Sequence, residues 1–205
     1  MTEKQKMLKG LLYNANYDAQ LLAQRRDCQT KCFAYNSIPP DQIEKRTEKI
    51  KEIFFQTGEN ICVEQPFHCD YGYNITVGDN FYANYNCVIL DCAKVTFGNN
   101  VFIGPNCGFY TAGHPIDAEQ RNEGLEYAYP ITVGDNVWFG GNVVVLPGVT
   151  IGSNTVIGAG SVVKQDIPSG VIAVGNPCQV VREITPADKL KYQKPGFSYK
   201  STNTS

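Results

Sequence analysis

The stretch 133-VGDNVWFGGNVVVLPGVTIGSNTVIGAGSVVKQDIP-168 keeps a beat of six. Divided into hexads it reads VGDNVW, FGGNVV, VLPGVT, IGSNTV, IGAGSV and VKQDIP. The first place holds Val, Phe, Val, Ile, Ile and Val. The second is mostly Gly, and the fifth holds Val, Val, Val, Thr, Ser and Ile. A fixed short period is an internal repeat, and a repeat has to be read before any single element. Each hexad makes one short flat strand and a corner. Its first-place side chain points inward, where equivalent places stack coil upon coil. The fifth place also faces inward, near a corner, so its side chain stays small or modest. Gly and Asn serve where the backbone must take a positive φ cheaply. Three hexads close a triangle, so these six make two coils of a parallel β-helix.

An earlier section obeys the same rule less strictly. It reads VGDNFY, ANYNCV and ILDCAK from Val77, then FGNNVF, IGPNCG and FYTAGH from Phe97. His114 ends the last of these hexads, and the beat resumes only at Ile131-Thr132-Val133. Residues 115–130 are therefore an excursion from the coil. Ahead of the repeats the texture is helical. Thr2 with Gln5 predicts a capping box before Met7, Leu8, Leu11 and Leu12. Asp18 predicts the cap of a second helix carrying Leu21, Leu22, Cys28 and Cys32, punctuated by Pro39-Pro40. Asp41 with Glu44 repeats the box before Ile43, Thr47, Ile50 and Phe54. Three short helices have too little core to stand alone, so they are expected to pack on the coils. The expected division is a helical segment 1–57, a β-helix 58–185 with the excursion, and a tail 186–205.

A chain of 205 residues with 42% hydrophobic content can bury one core. A formal net charge of −2 gives no global attraction to nucleic acid or anionic membrane. No apolar run approaches the roughly 20 residues of a membrane span. The polar start MTEKQKMLKG lacks the apolar core of a signal peptide, so a cytoplasmic location is expected. In that compartment the eight cysteines are expected to be reduced, mostly as small apolar core residues. Cys28 and Cys32 share a helix face, but a metal pair there needs two more ligands, and the sequence shows none nearby.

Several motifs carry a resemblance: CDYGYNI (69–75), NFYANYNCVILD (80–91), FYTAGHP (109–115), RNEGLEY (121–127), PITVGDNVWFGGNVVVLPGVTIG (130–152), VIGAGSVV (156–163) and VGNPCQVVREI (174–184). With them the chain resembles the hexapeptide-repeat acyltransferases, and among these the maltose and galactoside O-acetyltransferases. The resemblance covers nearly the whole chain up to about residue 186. It implies a left-handed coil, an exception to the usual crossover hand. It also implies a homotrimer with sites between subunits, and acetyl transfer from acetyl-CoA to a sugar hydroxyl with no metal required.

Within that resemblance His114 is the expected general base, because an imidazole can accept and return a proton near neutrality. Asp70, Asn84, Asp91 and Glu126 are the expected acceptor-side residues. Asp70 stands where galactoside-type relatives have serine, which leans toward the maltose-type branch. Asp91 is followed by Cys92, where those relatives have an acid. For coenzyme A the resemblance points to Trp138 and Gly141 near the thioester, Ala159 and Ser161 along a shallow flank, and Lys164 and Arg182 toward the phosphates. Gly141 replaces a serine, leaving a backbone N–H for the oxyanion. Lys164 stands one place earlier than in many relatives. His68 is expected to be structural or peripheral. Two histidines are too few for the three-histidine zinc centre of a carbonic-anhydrase-type β-helix. Another acceptor on the same fold, such as an amino sugar, an antibiotic or serine, stays open. A non-enzymatic β-helical scaffold would leave GHP and RNEGLEY unexplained.

Overall fold

The computed structural model describes residues 1–191. Short strands stack into three parallel walls, the architecture of a parallel β-helix. In the regular section every first-place residue (Val133, Phe139, Val145, Ile151, Ile157, Val163) is buried, and so is every fifth-place residue from Val137 to Ile167. Even Thr155 and Ser161 at the fifth place are fully enclosed. Their hydroxyls turn to nearby carbonyls: Thr155 donates to Pro168 O at 3.1 Å and Ser161 to Gly158 O at 2.6 Å. The interior is a column in which Phe81, Phe97, Phe109 and Phe139 follow one another at centroid separations of 5.2, 5.0 and 5.2 Å. The last two pairs meet edge to face, an arrangement worth about 0.5–1.5 kcal/mol beyond burial.

Glycine and asparagine divide their work differently from the sequence expectation. Positive φ falls on the fourth place of the hexad, at Asn136, Asn142, Gly148, Asn154 and Gly160. The second-place glycines meet a different constraint, the close approach of the next coil. A Cβ on Gly140 would come within 2.6 Å of Ala159 N. The fourth-place asparagines do more than turn. Asn60, Asn80, Asn100, Asn136 and Asn154 pass one amide hydrogen bond from coil to coil at 3.2, 2.9, 3.0 and 3.0 Å.

Those bonds also measure the coils. The partners are 20 residues apart in the first coils, 36 apart across the excursion and 18 apart beyond it. All the surplus leaves at one corner. From the inward residue of one wall to that of the next, Val145 to Ile151 takes the regular six steps. At the same corner Cys69 to Val77 and Ile89 to Phe97 each take eight. Phe109 to Val133 takes twenty-four. The other two corners keep six throughout.

The widened corner is pinned by Asp91, which is completely buried. Its Oδ1 accepts from Asp70 N at 3.1 Å and Tyr71 N at 2.8 Å, and its Oδ2 from Asn74 N at 3.3 Å. Asn74 Nδ2 donates back to Asp91 O at 2.6 Å. Burial pushes the Asp91 carboxyl up to about 7 against these amides, which favour the charged form. One coil on, Thr111 Oγ1 donates to Leu90 O and accepts from Ala93 N, repeating the device.

The excursion is itself ordered. Asp117 caps a short helix, Ala118–Asn122, and Arg121 reaches back to Pro115 O and Ile116 O at 3.1 and 3.0 Å. Strand Leu125–Ala128 then returns antiparallel to Ala112–Gly113. Its other edge pairs with Tyr13–Asn14 from the N-terminal segment, a two-residue strand with no pattern to announce it.

Three helices precede the coils: α1 (Glu3–Leu8), α2 (Ala19–Asn36) and α3 (Ile43–Ile53). The Thr2–Gln5 capping box is formed, and Asp18 caps α2 through Leu21 N. Two expectations differ. Helix α1 stops at Leu8, so only Met7 is buried while Leu8, Leu11 and Leu12 face solvent. Helix α3 starts after Gln42 with no side-chain cap, so the Asp41–Glu44 box does not form. Helices α2 and α3 bury Cys28, Cys32, Tyr35, Ile50 and Ile53 in the same core as the first coil. Asn36 exchanges two 2.9 Å hydrogen bonds with the Phe67 backbone, and the Tyr35 hydroxyl donates to Val63 O. These contacts cover what would be an open strand edge. Among the described residues no helix is long and apolar enough to cross a membrane. All eight cysteines are free thiols.

The Asp91 corner gives a direct test. Asp91→Ala leaves three backbone N–H groups without their acceptor, at about 1–3 kcal/mol for each that stays dry. The melting temperature is expected to fall by roughly 6–12 °C on the usual size scaling, and less in Asp91→Asn, which keeps one oxygen. Unchanged melting in Asp91→Ala would mean that other contacts hold the corner.

Candidate functional site

The widened corner brings together four of the residues singled out from sequence: Asp70, Asp91, His114 and Glu126. His114 ends the third coil on that corner, just after strand Ala112–Gly113. Its side chain is about half exposed. Nδ1 lies 3.0 Å from Leu125 O. A carbonyl can only accept, so in the neutral imidazole this bond puts the proton on Nδ1 and the lone pair on Nε2. Nε2 stands 3.9 Å from Glu126 Oε1, and the Glu126 side chain is mostly buried. Backbone pairing sets this geometry, because the strand that carries Leu125 and Glu126 is held between Ala112–Gly113 and Tyr13–Asn14.

Tyr13 is the residue that sequence reasoning missed. It is fully buried, and its hydroxyl donates to Glu126 Oε2 at 2.9 Å. Burial pushes the Tyr13 phenol well up, with the Cys92 thiol and the Glu126 carboxylate beside it adding to the shift. Cys92 Sγ in turn lies 3.4 Å from Asp70 Oδ2. Burial also raises the Asp70 carboxyl, while the Cys92 hydrogen bond and the Arg25 charge lower it. A row of polar side chains thus runs from Asp70 through Cys92, Tyr13 and Glu126 to His114. Asp91 is turned inward to the 70–74 backbone and sits beneath this row. Nothing in LLYNANYD marks Tyr13, because its partner is 113 residues away.

The remaining candidates lie elsewhere on the protomer. Asn84 follows strand Tyr82–Ala83 at a six-step corner, where its Oδ1 accepts from Tyr85 N at 2.8 Å. Gly141 and Ala159 stack at that same corner on later coils, joined where Gly160 N donates to Gly141 O at 2.9 Å. Ala159 is exposed, whereas Ser161 is buried and spends its hydroxyl on Gly158 O and Gly175 N. Trp138 lies on the wall paired with Phe102 and Val156, and 55% of it is exposed. Lys164 is exposed at the far end of the widened corner's stack. Arg182 lies on the antiparallel strand Gln179–Glu183. Its guanidinium is held bidentately by Asp188 at 2.8 and 2.6 Å. That pairing raises the Arg182 pKa and holds the Asp188 carboxyl far down. His68 is exposed on the outer face of strand Phe67–Cys69. The part of the tail from residue 192 onward lies outside the described residues.

Known proteins share the helical start and the hexapeptide repeats. Residues 6–58 match the maltose acetyltransferase hexapeptide capping motif, and residues 130–165 match the bacterial transferase hexapeptide of six repeats. The chain is 51% identical to the galactoside O-acetyltransferase of Escherichia coli strain K12, over 81% of this chain and 82% of that protein. The crystal structure of a maltose O-acetyltransferase from Clostridium difficile 630 is 52% identical, with a TM-score of 0.88 over 90% of this chain and 98% of that one. A galactoside acetyltransferase in complex with coenzyme A is 44% identical, with a TM-score of 0.90 over 98% and 100%. At this identity and coverage, on a coil whose widened corner carries the histidine, the chain belongs to the maltose and galactoside O-acetyltransferase family of hexapeptide-repeat acetyltransferases.

Proposed function

We propose that the protein moves an acetyl group from acetyl-CoA to a sugar hydroxyl, directly and within one ternary complex, with His114 as general base. The single observation that carries this reading is the His114 ring bound through Nδ1 to the Leu125 carbonyl at 3.0 Å. That bond leaves a basic Nε2, half exposed, beside a carboxylate fixed by a buried tyrosine. A sugar hydroxyl is a poor nucleophile until a base takes its proton. In the proposed step Nε2 takes that proton as the hydroxyl oxygen attacks the thioester carbon. The tetrahedral oxyanion collapses, the C–S bond breaks, and the imidazolium returns its proton to the leaving thiolate. Glu126 steadies the imidazolium while it exists. Asp70, in the same polar row, is placed to accept from a further sugar hydroxyl.

The donor-side residues follow from the family resemblance, and a coenzyme A complex of a related galactoside acetyltransferase supports that donor. The pantetheine arm would run along the shallow corner of Gly141 and Ala159, with Trp138 as a wall. The amide of Gly141 would face the developing oxyanion, a contribution of roughly 3–4 kcal/mol for such a donor. Ser161 shapes that flank from inside. Arg182 can offer a phosphate only what Asp188 leaves free, so Lys164 is an equal candidate. His114 and the Asn84–Gly141 corner belong to different corners of one protomer. A homotrimer with closed cyclic symmetry would bring one corner against the other from its neighbour.

His114→Ala is expected to lose acetyl transfer by about two to four decades while keeping its melting temperature. The measurement is thiol release from acetyl-CoA with a panel of sugars, amino sugars and serine. Near wild-type turnover in His114→Ala would overturn the mechanism, and a preference for a non-sugar acceptor would overturn the substrate class. Tyr13→Phe is expected to lower kcat about tenfold, the worth of one hydrogen bond to a carboxylate. In light scattering the active species should have three times the chain mass. An active monomer would show that one protomer completes the site alone.

A further inference from the structure

Three cysteines converge where helix α2 meets the first coil. Cys28 and Cys32 stand one turn apart on α2, and Cys69 ends strand Phe67–Cys69. Cys28 Sγ lies 3.4 Å from Cys69 Sγ, and Cys32 Sγ lies 3.8 Å from it. All three sulfurs fall within 4.8 Å of one another. The pair on the helix therefore has one of the two further ligands it needs, from a residue far away in sequence.

The arrangement differs from that of the other buried cysteines. Cys87 and Cys107 point into the coil from within the stack, whereas Cys69 points inward from the first coil, where helix α2 packs against it. The trio comes from two separate elements, and its sulfurs face each other. Zinc–thiolate bonds of about 2.3 Å at tetrahedral angles set two sulfurs roughly 3.8 Å apart. The two separations from Cys69, 3.4 and 3.8 Å, lie near this value. Cys32 and Cys69 also line a cleft of about 470 Å³, shared with Gln29, Phe33, Asn36 and His68. The cleft gives an ion a way in from solvent. The fourth coordination position would be left to water.

We propose that Cys28, Cys32 and Cys69 form a binding site for one soft, closed-shell metal ion, Zn²⁺ or Cu⁺, that ties helix α2 to the first coil. Thiolates select such ions over hard cations. The acetyl transfer proposed above is not routed through this site. Its effect is on stability, because an ion that binds only the folded chain shifts unfolding by mass action. Coordination displaces three thiol protons and leaves the oxidation state of sulfur and metal unchanged.

The test uses the reduced full-length protein. Zn²⁺ and, anaerobically, Cu⁺ are titrated against a competing chromophoric chelator, with Co²⁺ as the spectroscopic probe. The expected result is one ion per chain, thiolate-to-cobalt charge-transfer absorption, and a melting temperature several degrees higher that falls back with chelator. Zinc-edge X-ray absorption on the wild type should show three sulfur neighbours at about 2.3 Å. Binding should vanish in Cys28→Ser and in Cys69→Ser but persist in Cys62→Ser, which removes the exposed thiol. The wild-type absorption measurement decides the matter if the serine variants fail to fold. The proposal is overturned by a first shell of only nitrogen and oxygen, or by binding that disappears in Cys62→Ser. It is overturned equally if thiol titration of the unfolded chain finds six thiols, which would place a disulfide in the trio.

Discussion

Each coil has to close on the same triangle as the one beneath it. The walls are joined by parallel hydrogen bonds, so a coil that drifts by one residue would turn its inward side chains outward along a whole edge. The first and fifth places of every hexad are fixed by this demand, and the aromatic column and the asparagine ladder run through it. Extra residues can therefore leave only at a corner, and here they leave at one corner alone. The insertion there grows from two residues at Cys69–Val77 and Ile89–Phe97 to a full excursion after Phe109.

That restriction also places His114. A histidine in a free surface loop would wander. His114 instead sits directly after a strand, and its ring is bonded to the next strand of the same three-stranded ribbon. The ribbon is anchored on one side by the coil and on the other by Tyr13–Asn14. The N-terminal segment is thus part of the corner as well as a cover for the first coil. Its buried phenol fixes Glu126, and Arg25 of α2 donates to Ala15 O and Tyr71 OH at 3.2 and 3.3 Å. Positioning by packed elements in this way is what the proposed general-base step requires, since the base must meet its proton within hydrogen-bond reach.

The β-helix was legible because its signal is periodic and local. Six hexads state the inward places without any distant partner, and the inward residues are those of the structure. His114 was legible as the residue at which the beat stops. What stayed hidden depends on contacts far apart in sequence. Tyr13 meets Glu126 across 113 residues, and Cys69 meets Cys28 across 41. Neither pairing leaves a pattern in a single chain. The missed details near the helices have local causes: α1 stops at Leu8, before the second leucine pair, and α3 begins one residue later than its acidic cap would require. Asp91 shows a subtler limit. A carboxylate at a corner reads equally as a ligand for sugar and as a partner for backbone, and only the three amides around it reveal the second role.

The same geometry bears on why the reaction proposed here would call for more than one copy. The triangle keeps its corners apart for as long as the coil persists, because the walls between them are rigid and filled. Residues at the widened corner cannot approach Asn84 or Gly141 of their own protomer by any rotamer change. A base and an oxyanion donor acting on one thioester must lie within a few ångströms of each other. In the proposed reaction the two corners therefore come from different protomers. The exposed Trp138, the exposed Phe102 beside it on the same wall, and Ile116 at the tip of the excursion then have a common physical reason. They are apolar side chains on the surfaces that a second protomer would cover, and their burial would stabilise the assembly that makes the site whole.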